Sequence, residues 1–266
     1  MLSLKRIGMK LLEKILFNVK FGSPYVRALW KTRLFIPVKV HGIKVKAWKV
    51  SQNIKGSLLK GTYESSEIVQ LTSLIQSDER ILELGTGLGV TTCLAAKLAQ
   101  KGFIWTFEAD PDTYGLALNH FELNHVKNVE AVNGIIGKEA GEVHFYVSKD
   151  FWESSTKPLN EAQKILVKMM CLDDVLGNSL PSTVVMDIEG AEYELLLLSS
   201  WKESKTIKKI IVEFHAFSDF KMQSENLAQI YRDWNIDIPF KEAEETLKMQ
   251  HLTLVLKNKE RFIDQR

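Results

Sequence analysis

The densest chemistry in the 266 residues lies in Glu83-Leu84-Gly85-Thr86-Gly87-Leu88-Gly89. This stretch follows a short apolar run, residues 81–84, and opens a helical one, residues 90–100. Glycines at a strand-to-helix turn permit a tight bend and let a ligand approach the backbone closely. The spacing is G-x-G-x-G, so the third glycine comes one position earlier than in the nicotinamide fingerprint. With Glu83 two residues before the first glycine, the pattern favours S-adenosylmethionine. Glu83 would organise the loop or meet the ammonium group of that cofactor. Backbone amides around Gly87, from Thr86 to Gly89, and the hydroxyls of Thr91 or Thr92 would meet its carboxylate. The plain alternative is a structural turn with Glu83 as a surface charge.

Glu108 closes the next strand, 21 residues after Gly87. A carboxylate there can accept both ribose hydroxyls, although nicotinamide enzymes use the same position. Asn133-Gly134, at the end of the third strand, would border the adenine or form an ordinary turn.

A second concentration of polar groups follows two later apolar runs: Asp187-Ile188-Glu189-Gly190-Ala191-Glu192 and Glu213-Phe214-His215. Crowded carboxylates repel one another, so three within six residues call for a use. Asp187 and Glu189 face the same way on an extended chain, as do Glu213 and His215. A sulfonium methyl is already activated for in-line displacement, but an acceptor hydroxyl is a poor nucleophile at neutral pH. Either a base takes its proton or a cation lowers its pKa. His215 suits the first role by its intrinsic pKa. Asp187 and Glu213 suit the second, as oxygen ligands for Mg²⁺. The residues leave both open. For Glu189 and Glu192 the simpler role is to favour a helix N-terminus.

The elements that must position these groups alternate. Strands are expected at residues 81–84, 103–108, 129–136, 143–147, 183–188, 207–214 and 251–256. Helices are expected at 90–100, from Pro111 to about Asn124 with Asp110 as N-cap, at 191–201 and at 225–234. Such alternation implies a mostly parallel sheet with helices on both faces and a ligand at the carboxyl ends of the strands. Before it, residues 2–20 carry apolar residues at helical spacing, and residues 37–49 read as a hairpin turning at His41-Gly42. Trp105, Trp152, Trp201 and Trp234 read as core residues rather than sugar platforms.

Hydrophobic residues make up 45% of the chain, enough for a sizeable core. Two distant cysteines, Cys93 and Cys171, read as reduced core thiols, and no apolar run approaches a spanning helix or a signal-peptide core. The expectation is a cytoplasmic protein. Net charge is only +2, yet residues 1–60 hold 14 Lys/Arg and a single acid, Glu13, leaving the remainder acidic. This basic segment is expected to meet something anionic. For residues 1–20 two readings stay open: peripheral contact with a membrane surface, or packing on the catalytic domain.

Taken together the motifs resemble the FkbM family of methyltransferases. The matching pieces are Gly61-Thr62-Tyr63-Glu64, the loop from Glu83 to Gly89, Phe107-Glu108-Ala109-Asp110-Pro111, Cys171-Leu172-Asp173-Asp174, Asp187 to Glu192, and Val212-Glu213-Phe214-His215. The resemblance implies a class I, Rossmann-like methyltransferase fold spanning residues 61–266 after an extension of residues 1–60. It implies O-methylation of sugar hydroxyls in glycans or glycolipids, or of small metabolites. It makes Glu83, Gly85, Gly87 and Glu108 cofactor residues and sets Asp187 and Glu189 at the reaction site. Val185 stands where that family often has Lys, and Glu83 where Asp is frequent.

Three other functions compete. The basic N-terminus invites an RNA methyltransferase, but the acidic edge at Asp187 would repel phosphates, and the Asn/Asp-Pro-Pro-aromatic tetrad of base-amino methylation is missing there. A non-catalytic protein on the same fold would be exposed by a cofactor titration. The glycine spacing speaks against a nicotinamide oxidoreductase.

Overall fold

The computed structural model describes residues 37–47, 50–148, 162–215, 220–248 and 251–261. The expected helix at residues 2–20, and Trp152, lie outside the described residues. The chain divides into two units. The first holds Lys44–Tyr63 and the residues up to Val40, and the second holds His41–Ile43 and everything from Glu64 onward.

β1 (Val38–Val40) and β2 (Ile43–Val45) form the expected two-stranded sheet, with His41 and Gly42 both at positive φ in the turn. In the first unit, α1 (Gln52–Lys60) starts at Ser51, whose side chain accepts from the Ile54 amide, and stops at Gly61, whose φ of 71° is the left-handed cap. Ile54 and Leu58 are four residues apart and both 1% exposed, so they form the buried stripe of this helix.

The second unit is built on a seven-stranded sheet. Its strands are β3 (Arg80–Leu84), β4 (Phe103–Glu108), β5 (Val129–Asn133), β9 (Thr183–Met186), β10 (Lys209–Phe214), β11 (Asn235–Ile236) and β12 (Leu252–Lys257), in the order β11-β12-β10-β9-β3-β4-β5. β12 runs antiparallel to both neighbours, while β10, β9, β3, β4 and β5 are parallel. The order reverses between β3 and β9, since the chain leaves β3 toward β4 and leaves β9 toward β10. Such a switch point opens a crevice beyond the strands' carboxyl ends, where ligands of parallel sheets bind. This is the class I methyltransferase arrangement.

Alternation along the central strands feeds a core on each face. Leu82, Leu84, Val184, Met186, Ile210, Val212 and Phe214 pack with Trp201, Leu227, Ile230 and Trp234 on one side. Ile81, Val185 and Ile211 pack with Leu71, Ala95 and Ala96 on the other. The second group comes from α2 (Ser65–Leu74) and α3 (Val90–Leu98), the first mainly from α6 (Glu192–Leu196), α7 (Ser200–Glu203) and α8 (Phe220–Asp233). Burial on both faces explains why these strands are continuous apolar runs.

Between β5 and β9 lies a three-stranded sheet, β6 (Ile135–Gly137), β8 (Gln163–Cys171) and β7 (Gly141–Val147), followed by α5 (Leu172–Ser179). Residues 129–136 read as one strand in sequence but are two. At Gly134 the chain leaves β4 for β8, and a Cβ there would come 2.9 Å from the Lys168 carbonyl.

The single helix expected over residues 191–201 is also two pieces. The Trp201 indole donates to the Leu195 carbonyl at 2.7 Å and takes the acceptor that a continuing helix would have used. The strand expected to reach Ile188 stops at Met186. The Asp187 amide still donates to the Leu84 carbonyl, but Glu189 and Gly190 then take φ values of 52° and 106°. Among the expected helices, α4 (Pro111–Leu123) fits best: Asp110 accepts from the amides of Asp112 and Thr113, and Pro111 opens the first turn. Beyond the expected elements, the chain also forms α1, α2, β8, α5, β11 and α9 (Phe240–Leu247).

Candidate active site

Glu83 sits in the middle of the sheet, 2% exposed. The β3–β4 register sets it opposite Thr106, and α3 begins directly above, so three hydroxyls converge on one carboxylate. Thr91 donates to Oε1 at 3.0 Å, while Thr92 and Thr106 donate to Oε2. Burial pushes its pKa up to about 7, against the pull of the three hydroxyls. Of its two expected roles, the geometry shows loop organisation: Glu83 ties strand, loop and helix together. Thr91 and Thr92 spend their hydroxyls on this carboxylate rather than on a ligand.

The loop above is shaped by close approach. Gly85 has a φ of 88°, and a Cβ there would come 1.7 Å from the Asp187 carbonyl. At Gly89 a Cβ would lie 2.7 Å from the Phe121 ring. The Thr86 hydroxyl turns inward to the Thr106 hydroxyl at 2.6 Å. Its amide donates to the Phe107 carbonyl at 3.1 Å and its carbonyl accepts from the Gly89 amide at 2.8 Å, so the Thr86 and Gly89 amides serve the loop itself rather than a ligand.

Glu108 ends β4 and grips the loop. Its Oε2 accepts from the Gly87 amide at 2.8 Å and its Oε1 from the Asp110 amide at 3.0 Å. Each oxygen keeps further lone-pair capacity, as ribose binding requires. Burial raises its pKa to about 7, with the two amides opposing. Asn133 stands opposite Glu108 in the β4–β5 register, and its amide donates to the carbonyls of Glu108 at 2.8 Å and Ala109 at 3.1 Å.

Across the switch point, β9 and β10 deliver the second group. His215 is 7% exposed. Its Nδ1 lies 2.8 Å from Glu192 Oε1, and its Nε2 lies 3.2 Å from Glu189 Oε2 and 3.5 Å from Asp187 Oδ1. Burial alone would lower the imidazole pKa. The Glu192 hydrogen bond and the charges of Glu192, Asp187 and Glu189 override it and push it up to about 10. At neutral pH the ring is therefore an imidazolium. Glu192 is fully buried, and the same Oε1 accepts from the Ile188 and Gly190 amides, so it fixes both the ring and the turn before α6. Burial, then surrounding carboxylates, raise Asp187 to about 7 and Glu189 to about 9, with His215 opposing in both.

Glu213 stands slightly apart, its Oε1 3.4 Å from the exposed His251. It faces Asp187 and a residue that the sequence reading missed. Glu67, in the first turn of α2, is 2% exposed, and its Oε1 is buried without a hydrogen-bond partner. Burial foremost, then Asp187, hold its carboxyl well above the usual range. The one signal in the sequence was its nearness to Gly61-Thr62-Tyr63-Glu64. Trp201 and Trp234 are core residues, 0% and 3% exposed, and Trp105 stacks under Arg80. Cys93 is buried and Cys171 half-buried, both free.

A methyltransferase fold whose switch point carries a glycine loop, a strand-end carboxylate holding that loop and a carboxylate–imidazolium cluster defines the class. The FkbM methyltransferase domain model matches residues 83–247, more than half of the chain. The chain belongs to this family, whose members are S-adenosylmethionine-dependent. An uncharacterized protein of Methanocaldococcus jannaschii is 31% identical over 94 residues, and the match spans 35% of this chain and 33% of that relative's length. Among solved structures, the precorrin-6y C5,15-methyltransferase of Geobacter metallireducens shares 16% identity at a TM-score of 0.43, over 66% of this chain and 74% of that one. A SAM-dependent methyltransferase of Aquifex aeolicus shares 11% identity at a TM-score of 0.39, over 72% and 87%. Among the described residues, no helix is long and apolar enough to cross a membrane.

Proposed function

We propose that this protein transfers the methyl group of S-adenosylmethionine to a hydroxyl oxygen of a sugar, a glycan, a glycolipid or a small metabolite. The observation that carries the reading is the juxtaposition at the switch point. Gly85 of the cofactor loop packs against the Asp187 carbonyl, so a cofactor on the loop from Glu83 to Gly89 ends beside Asp187, Glu189 and His215. The loop and Glu108 bind, with Glu108 taking the ribose hydroxyls.

The acceptor's O–H approaches the methyl from the side of Asp187 and Glu189. Asp187, with its pKa at about 7, takes the proton while the oxygen takes the methyl, and S-adenosylhomocysteine leaves. His215, pinned by Glu192, supplies a fixed positive charge that keeps the crowded carboxylates ordered. A cation on Asp187 and Glu213, Mg²⁺ being the expected ion, is the other way to ionise the hydroxyl.

An acidic wall also favours an uncharged hydroxyl over a polyanion, which supports a sugar or metabolite above RNA. The test is transfer of labelled methyl from S-adenosylmethionine to a panel of glycans, glycolipids, small metabolites and mixed RNA. Label in an alkali-stable ether of a hydroxyl compound is the expected result. Label only in RNA, or cofactor binding without transfer to any member, would sink the proposal.

A further inference from the structure

We infer that Glu67, Asp187 and Glu213 form a binding site for one hard divalent cation at the mouth of the crevice. The three residues come from three separate elements: α2, the turn after β9, and β10. One oxygen from each lies within 4.8 Å of the other two, the spread that ligands around a single ion show. An acidic cluster alone would not suffice. The independent observation is Glu67, a carboxylate 2% exposed that contributes one oxygen to this trio and whose Oε1 is buried without a hydrogen-bond partner. Asp187 Oδ1 is likewise buried without a hydrogen-bond partner. A buried carboxylate oxygen with no hydrogen-bond donor costs free energy, and one cation would partner the Glu67 and Asp187 oxygens together, with Glu213 completing the set.

Two other trios at this edge contain His215. Its nitrogens already face Glu192 at 2.8 Å and Glu189 at 3.2 Å, so it is a poor candidate ligand. That leaves the all-oxygen set, which suits Mg²⁺, Mn²⁺ or Ca²⁺ rather than a softer metal. Around the site stand the carboxylates of Glu67, Asp187, Glu189, Glu192 and Glu213, against His215 and the exposed His251. The charge balance has room for a dication. Burial first, and then the neighbouring carboxylates, hold the Glu67 and Asp187 carboxyls above their ordinary range.

The role of the ion rests on the proposed O-methyl transfer. It would bind the acceptor oxygen and lower its pKa, so that the proton leaves to solvent more readily. Binding itself stands independently of that reaction and is measured without it. Mn²⁺ is titrated into the full chain, without cofactor or acceptor, by calorimetry and by loss of the free-ion paramagnetic signal.

The expected result is one ion per chain, displaced by Mg²⁺, with protons released as the carboxylates ionise. Glu67→Gln should weaken Mn²⁺ at least about tenfold, as second-sphere and ligand losses do, and leave S-adenosylmethionine affinity in place. Glu213→Gln gives the second reading should Glu67→Gln fail to fold. No stoichiometric Mn²⁺ binding by the wild type, or unchanged binding in the folded variants, overturns the site. Mn²⁺ binding with no methyl transfer to any acceptor would leave the site standing and remove the proposed function instead. Transfer at full rate in excess chelator would remove the ion's role.

Discussion

Glu108 shows what a residue gains from two neighbours and what that predicts. It is held by the Gly87 and Asp110 amides and titrates at about 7. Ribose hydroxyls donate to the ionised form, so affinity should rise as pH climbs through about 7. 5′-Methylthioadenosine is the clean probe, because it keeps the ribose and lacks the titrating amino acid. Calorimetry should find tighter binding at about pH 8 than at about pH 6 in the wild type, either side of that titration, and no such rise in Glu108→Gln. Equal affinity at both pH values would remove Glu108 from the ribose. Replacement by Ala should cost about 1–3 kcal/mol of cofactor binding, since the loop amides lose their acceptor as well. Asp187→Asn tests the other side. Turnover should fall about 10²–10⁴-fold, as for loss of general base catalysis, while cofactor affinity holds. Near-normal turnover would show that Asp187 neither receives the proton nor serves it. At this scale the sequence was informative wherever a residue sits at a strand end. Glu108, Asp187 and His215 could be singled out because an apolar run stops at them, Glu83 by the glycines that follow it, and Glu213 by its two-residue spacing from His215. It gave only the nearness of Gly61-Thr62-Tyr63-Glu64 for Glu67, which comes from a helix whose buried acid looks like any surface acid in sequence. It was also ambiguous about Glu192, which looked like a helix-terminus charge and proves to hold His215.

Elements were legible where the pattern is local. β3, β4, β9 and β10 are apolar runs bounded by polar residues, and α4 carries its own N-cap and proline. They were not legible where tertiary contacts overrule the pattern. The Trp201 indole breaks one expected helix, and Gly134 hands one expected strand from sheet to sheet. β8 escaped because Leu166, 56% exposed, sits on its polar side and spoils the alternation. Trp201→Phe should therefore keep most of the core volume but remove the shorter of the two hydrogen bonds to the Leu195 carbonyl, which keeps the Leu198 amide at 3.2 Å. A loss of about 0.5–1.5 kcal/mol in denaturant unfolding is expected. A variant as stable as wild type would mean that the helix break has another cause. At the opposite end of the strands, β3 and β10 are joined through Glu79 and Lys209, 2.6 Å apart and both buried. Burial works against the Glu79 charge, but Lys209, Ser182 and Thr183 outweigh it and hold the carboxyl below its ordinary pKa. A depressed carboxyl stabilises the fold at pH above its unfolded value and loses that contribution as pH falls through the folded one. The wild type should therefore lose thermal stability below about pH 4, where an unfolded Glu takes up its proton. Glu79→Gln should be less stable at neutral pH and show a shallower acid limb. The same acid limb in both proteins would deny Glu79 this role.

Taken whole, the molecule separates its charges: residues 1–60 are strongly basic, while the crevice at the switch point is walled by carboxylates. One charge distribution can serve both a polyanionic surface and an uncharged acceptor if the two meet different parts of the chain. Lys5, Arg6, Lys10, Lys14 and Lys20 are interleaved with Leu4, Ile7, Leu11, Ile15 and Leu16, a basic and apolar composition that would suit an anionic membrane surface. Such contact would concentrate the enzyme beside a lipid-linked glycan, the acceptor class for which it would matter most. The full chain is expected to co-sediment with vesicles containing phosphatidylserine at low salt. Binding should weaken as salt rises, because each basic side chain near the surface contributes about 1 kcal/mol that screening removes. Deleting residues 1–20 should abolish the binding and leave the thermal midpoint of the remaining chain unchanged. If the segment instead packs on the catalytic domain, the full chain will ignore the vesicles at every salt concentration and the deletion will lower the midpoint. The two measurements move in opposite directions under the two readings, so one pair of proteins decides between them.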